Sequence, residues 1–198
     1  MPDDSRDAVH GRRAMFRLGL KRVVEPFADY LQERFDLKAP APVRRQWLRP
    51  PGAVIESEFL SLCYRCGNCV DVCPAHAIHA TGSDDPDLGG TPSIDPDMVP
   101  CKVCDTLACT RTCPSGALRS LNSAREIRMG LAEVNLRACV RTQGEACTIC
   151  VERCPIGSEA INVGLSGEVE VDVSGCVGCG VCQHYCPALP KAIRVEPL

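Results

Sequence analysis

The sequence predicts an α+β fold in which short antiparallel hairpins and small helices form two similar units behind an N-terminal helix. Three observations predict it. A pattern ending in Cys-Pro recurs four times after Glu58. Short apolar or β-branched segments flank those recurrences. Before them, residues 1–38 carry apolar side chains at three- and four-residue steps.

The N-terminal element comes first. Phe16, Leu20, Val23, Val24, Phe27, Leu31 and Phe35 give one apolar face of an amphipathic helix. Its charges run against the helix dipole: Arg12, Arg13, Arg17, Lys21 and Arg22 lead, and Glu25, Asp29, Glu33 and Asp36 follow. Each unfavourable end charge costs ~0.3–1 kcal/mol, so this helix needs something to pack on. Its own body, a partner protein and an anionic membrane surface are the three choices. Residues 1–50 hold 11 basic and 7 acidic side chains, while the rest hold 11 and 18. A basic arm on an acidic body suits a docking segment, whereas a nucleic-acid protein is more often basic throughout.

Arg12 and Arg13 sit in a stretch similar to a twin-arginine signal. A signal also needs an uncharged core of ~7–15 residues, and the longest run here is Leu18 to Leu20. The expected location is therefore the cytoplasm, peripheral to a membrane if the helix docks there; read as a signal, the segment would instead send the chain to the periplasm.

Residues 39–57 read as a linker, because Pro40, Pro42, Pro50 and Pro51 interrupt regular structure. Residues 58–198 form the repeated body. Strand candidates are Ser93–Asp95, Met129–Leu136 and Glu168–Val173, together with the short apolar pairs Ala77-Ile78, Ala117-Leu118, Ala160-Ile161 and Ala192-Ile193. The stretch from Asp84 to Gly90 reads as a surface loop. Val173 to Pro190 carries no charged residue, but its four Cys, three Gly and two Pro deny it a transmembrane reading.

The cysteines fall into four groups of four, with none left over. Group one is Cys63, Cys66, Cys69 and Cys73; group two is Cys101, Cys104, Cys109 and Cys113. Group three is Cys139, Cys147, Cys150 and Cys154; group four is Cys176, Cys179, Cys182 and Cys186. Proline follows the last Cys of each. Thiolates three residues apart on a tight turn can grip one small inorganic core, and soft sulfur suits iron–sulfur cubes. In the Cys-x2-Cys-x2-Cys-x3-Cys-Pro run of bacterial ferredoxins the fourth Cys ligates the other cluster, so groups work in pairs. The spacing predicts four [4Fe–4S] clusters held by all sixteen cysteines.

Composition agrees. The hydrophobic share of 45% falls to about 37% without the cysteines, below the usual ~45–50%. Aromatics supply 4%. Bound clusters would fill what side chains do not. Disulfides belong to oxidising compartments, and zinc ribbons use separate Cys-x2-Cys pairs, so neither matches the groups.

His76, His79 and His184 lie near the groups, but sulfur already fills every ligand place. Arg65, Lys102, Arg111 and Arg153 lie inside them, where a cation raises a cluster's reduction potential. No catalytic triad, acid–base pair or phosphate loop stands out. The primary reading is an electron-transfer protein or oxidoreductase subunit; the alternative is an enzyme subunit or maturation factor whose clusters support chemistry.

The chain resembles the ferredoxin-type proteins of the NapG/MauM family across roughly residues 48–197. The likeness rests on LRPPGA (Leu48–Ala53), RCGNCV (Arg65–Val70), GTP (Gly90–Pro92), CPSGAL (Cys113–Leu118), MGLA (Met129–Ala132) and the long Cys139-to-Cys147 spacing. It implies a four-cluster polyferredoxin of two ferredoxin-like units, relaying electrons between a quinol-linked membrane partner and an oxidoreductase. Similarity to the four-cluster subunits of molybdenum oxidoreductases implies that group one pairs with group four and group two with group three. Sequential pairing is the other arrangement.

Overall fold

The computed structural model describes residues 47–82 and 88–198. The helix expected over 1–38 lies outside the described residues, as does the start of the expected linker.

Among the described residues, six short strands form three two-stranded antiparallel sheets. Strands β1 (Ile78–Ala80) and β2 (Pro92–Ile94) make one hairpin, with Ile78 opposite Ile94. Strands β4 (Ile161–Val163) and β5 (Val169–Val171) make another. Strand β3 (Gly130–Val134) instead pairs with the C-terminal β6 (Ile193–Pro197), in register from Gly130↔Pro197 to Val134↔Ile193. The strands fall where the sequence places them, with one exception: Ala117-Leu118 forms only a single bridge, Ala53↔Leu118.

The order of events occurs twice. Ala53 leads into α1 (Glu56–Leu62), group one with α2 (Asn68–Asp71), the β1–β2 hairpin, group two with α3 (Ala108–Arg111), and back to Ala53 through Leu118. Strand β3 leads into group three with α4 (Ile149–Glu152), the β4–β5 hairpin, group four with α5 (Val181–Tyr185), and back to β3 through β6. The first circuit closes with one bridge where the second closes with five residue pairs.

Packing explains how the first circuit manages with so little sheet. The stretch read as a linker over 39–57 packs into the core from Leu48 onward. Leu48 bridges Ile94, and Pro50 and Pro51 are fully buried. Arg49, with no exposed surface, donates from Nε to both oxygens of Glu56 at 3.1 and 3.2 Å. Its Nη1 reaches the Thr91 hydroxyl and the Pro92 carbonyl, both at 2.9 Å, and its guanidinium lies 4.7 Å from the Phe59 ring centre. One cation thereby ties α1 to β2. Proline does exclude a regular strand here, but it leaves the chain free to cross the core as an extended strap.

Cysteines share both cores with aliphatic side chains. Phe59, Ile94, Leu107, Ile127 and Met129 surround Cys69, Cys109 and Cys179 in one. Ala132, Ile161, Val169 and Ile193 surround Cys139, Cys150 and Cys182 in the other. Within the second circuit, group four touches the chain entering β3 main chain to main chain. The Met129 amide donates to the Val177 carbonyl at 3.2 Å, and a Cβ added to Gly178 would lie 2.3 Å from the Gly130 nitrogen. Gly178 also has φ +70°, the left-handed region that favours glycine. Gly178→Ala is therefore expected to cost about 3 kcal/mol or more, combining left-handed strain with steric overlap. Denaturant unfolding of the metal-loaded protein reads this directly. A loss below about 0.5 kcal/mol, the range of neutral surface changes, would mean that the close approach is not there.

Candidate metal centres

Three of the four groups present their sulfurs by the same backbone device. The residue before the second Cys is left-handed in three groups: Arg65 (φ 54°), Val103 (φ 52°) and Gly178. A second left-handed residue, Gly67, Leu107 or Gly180, then caps the short helix that carries the third Cys. Alternating handedness makes successive N–H groups face one side, a concavity suited to anions. Group three departs from this pattern. Thr148 caps α4 with φ −130°, and the seven residues after Cys139 form a loop of their own. Arg141 stitches that loop down, donating to the Cys147 carbonyl at 3.1 Å and the Gly167 carbonyl at 2.6 Å.

The structure sorts twelve of the sixteen cysteines into three cavities. Cavity A is lined by Cys63, Cys66 and Cys69 of group one with Cys113 of group two. Cavity B is lined by Cys101, Cys104 and Cys109 of group two with Cys73 of group one. Cavity C is lined by Cys176, Cys179 and Cys182 of group four with Cys154 of group three. The remaining four are Cys139, Cys147, Cys150 and Cys186; Cys139 and Cys150 are buried in the second core, with Cys186 packed against it. These linings follow the sequential arrangement of the groups. Cys113, not Cys186, stands with group one, and Cys73, not Cys154, stands with group two. The reason is the circuit: each hairpin returns the chain beside the group just before it.

Burial and mutual proximity make these thiols reluctant to ionise alone. Cys69 is pushed up to about 11, by burial first and then by Cys63. Burial also takes Cys101 and Cys150 up to about 11, and Cys109 and Cys179 up to about 12, each with neighbouring cysteines adding. Cys182 moves the same way. Cys113 goes down instead. Burial opposes this, but the Ser115 hydroxyl and the amides of Leu118, Ser115 and Gly116 outweigh it. The Leu118 amide stands 3.4 Å from Cys113 Sγ, and the Ala77 amide stands 3.4 Å from Cys73 Sγ. Such N–H···S contacts are a known control on cluster potential.

The donor set fits cubes better than single ions. All sixteen cysteines are unbridged. Among the described residues no three Cys, His, Asp or Glu side chains converge as one ion would require. Zinc would draw four sulfurs within ~2.3 Å of one point; a cube spreads its ligands over a wider ring. His184 is otherwise engaged, with Nδ1 3.0 Å from the Pro96 carbonyl oxygen. His76 is exposed and His79 lies on β1. Sequence reasoning missed the left-handed turns at Arg65, Val103 and Leu107, where no glycine advertises them, and it missed the partners of Tyr185 described below.

The deciding observation is kinship. The methylamine utilization ferredoxin-type protein MauM of Methylobacillus flagellatus is 38% identical over 196 residues, covering 94% of this chain and 83% of that one. The chain belongs to the MauM/NapG ferredoxin-type family. The ferredoxin-type protein NapG of Escherichia coli is 37% identical over 163 residues, covering 76% of this chain and 71% of its own. MauM of Paracoccus denitrificans is 39% identical over 172 residues, covering 81% and 76%. Residues 62–117 match the 4Fe-4S dicluster domain. No solved structure matches this MauM/NapG-type chain. It is an iron–sulfur, ferredoxin-type protein of electron transport. Among its described residues no helix is long and apolar enough to cross a membrane.

Proposed function

We propose that this protein is a four-cluster electron relay with no substrate of its own. One observation carries the reading: each of three cavities is ringed by four thiols, three from one group and one from its sequence neighbour. Cys139, Cys147, Cys150 and Cys186 complete a fourth set, site D. Two ferredoxin-like units result, with groups one and two in the first and groups three and four in the second. The dicluster match over residues 62–117 takes in groups one and two together, in keeping with this pairing.

Bound [4Fe–4S] clusters would supply reversible one-electron transfer. The chain's part is to hold the sites in sequence. Cys69 of site A is close enough to act on Cys109 of site B. The Cys101 amide of site B donates to the Cys179 carbonyl of site C at 3.0 Å. Cys150 of site D acts on Cys182 of site C. The order is A, B, C, D, with the outer ends available to a donor and an acceptor. A quinol-linked membrane protein and an oxidoreductase are the partners this reading implies, met in the cytoplasm or at the membrane's face. Four thiols at every site leave no iron open to a substrate, which argues against the enzyme alternative.

Iron analysis tests both count and pairing. The anaerobically purified protein is expected to hold about 16 Fe and about 16 sulfide, four of each per cube. A Cys66→Ala/Cys113→Ala double variant strikes one site and should keep about 12 Fe, whereas Cys66→Ala/Cys186→Ala strikes two and should keep about 8. The reverse result would restore the pairing of groups one and four. Near 8 Fe in the unaltered protein would end the four-cluster reading.

A further inference from the structure

The ring of Tyr185 sits where three of these sites meet. It precedes Cys186 of site D, and it packs against the core that holds Cys69, Cys109 and Cys179. Two cations lie against it. Lys102 Nζ is 5.5 Å from the ring centre, and the Arg153 guanidinium carbon is 4.8 Å from it. Lys102 stands between Cys101 and Cys104 and itself lines cavity B. Arg153 immediately precedes Cys154 of cavity C. The two cations come from opposite circuits, and His184 meets the same ring edge-on at 4.8 Å.

Both cations are exposed, and among the described residues no carboxylate ion-pairs with either. A long exposed side chain normally sweeps many rotamers, and two like charges this near each other would drift apart. The negative face of an aromatic ring opposes both tendencies. Tyr185 thus fixes two uncompensated positive charges at the junction of sites B and C, where the Cys101 amide meets the Cys179 carbonyl.

We infer that Tyr185 is a positioning residue for electron transfer: by holding Lys102 and Arg153 over the middle of the relay, it raises the reduction potentials of sites B and C. This rests on the four-cluster reading. Adding an electron to a thiolate-bound cube adds negative charge, so a fixed cation nearby favours the reduced form. An electron entering at either end is thereby drawn toward the junction between the two circuits.

Redox titration of the metal-loaded protein, followed by electron paramagnetic resonance, tests this. Lys102→Gln and Arg153→Gln should each move part of the titration to more negative potential, lowering severalfold the fraction reduced at a fixed potential. The displacement should shrink at molar salt, which screens exposed charges. Tyr185→Leu should move the same part of the titration, and Tyr185→Phe, which keeps the ring face, should titrate like the unaltered protein. Unmoved titrations in both glutamine variants would overturn the inference. So would a Tyr185→Leu titration like that of the unaltered protein, or a Tyr185→Phe variant displaced as far as Tyr185→Leu. If Tyr185→Leu fails to load iron, the two exposed-residue variants and Tyr185→Phe still decide. A shortage of iron in the unaltered protein would instead strike the four-cluster reading itself.

Discussion

Stripping iron from the reduced protein with a chelator is expected to abolish its cooperative unfolding transition. The interior explains why. Cys69, Cys109, Cys139, Cys150, Cys179 and Cys182 are all buried, and they occupy places where another protein would put leucine or phenylalanine. Phe59 is the one fully buried aromatic among the described residues. The longest of the described helices has seven residues and the longest strands five, below the length at which either element stands alone. Metal sites absent from the unfolded chain contribute their binding energy to folding. Here that contribution should exceed the ~5–15 kcal/mol by which ordinary domains are stable. Hydrogen exchange on the stripped protein provides the check: amides of β3 and β6 should lose protection along with those near the sites. Retained protection and an unchanged melting temperature would show that the aliphatic cores suffice.

Arg49 should give the largest effect of any side chain that is not a ligand. Arg49→Met leaves the Glu56 carboxylate buried without its cation and removes the donors to Thr91 and Pro92. Removing one member of a buried pair costs about 3–5 kcal/mol. Glu56→Gln should cost less, because a neutral amide can still accept from the guanidinium. The double variant Arg49→Met/Glu56→Leu should recover part of the loss, since no charge is then stranded. Denaturant titration of the metal-loaded proteins reads all three. A single-variant loss under about 1 kcal/mol, ordinary for an exposed pair, would show that the pair does not bear on the strap.

Cysteine groups and strands were legible because each rests on local spacing. Three-residue steps with a closing proline marked every cysteine group, and apolar Ala-Ile pairs after Cys-Pro marked β1, β4 and β6. Pairing was not legible. Whether Cys113 or Cys186 faces group one depends on where the β1–β2 hairpin returns the chain, a long-range outcome with no local residue signature. Pro50 and Pro51 belong to the stretch read as a linker, yet both are fully buried. Arg49 disguised the burial, since a charged side chain is rarely fully enclosed unless paired, and its partner Glu56 lies seven residues on. At Val103 the left-handed turn fell on a β-branched residue, the kind least expected there.

The junction between the circuits has one further consequence. The link from site B to site C runs through the Cys101 amide and the Cys179 carbonyl, both main-chain atoms. Few side-chain substitutions reach such a link; proline at position 101, which lacks the donor, and a side chain on Gly178 or Gly180 beside Cys179 are the ones that would. The Tyr185 clamp has no such immunity, for a single codon change removes its ring. Mutational drift can therefore retune the middle of the relay step by step while the contact that joins its halves passes unchanged from one sequence to the next. Continuity belongs to the fold, and adjustment belongs to the residues laid over it.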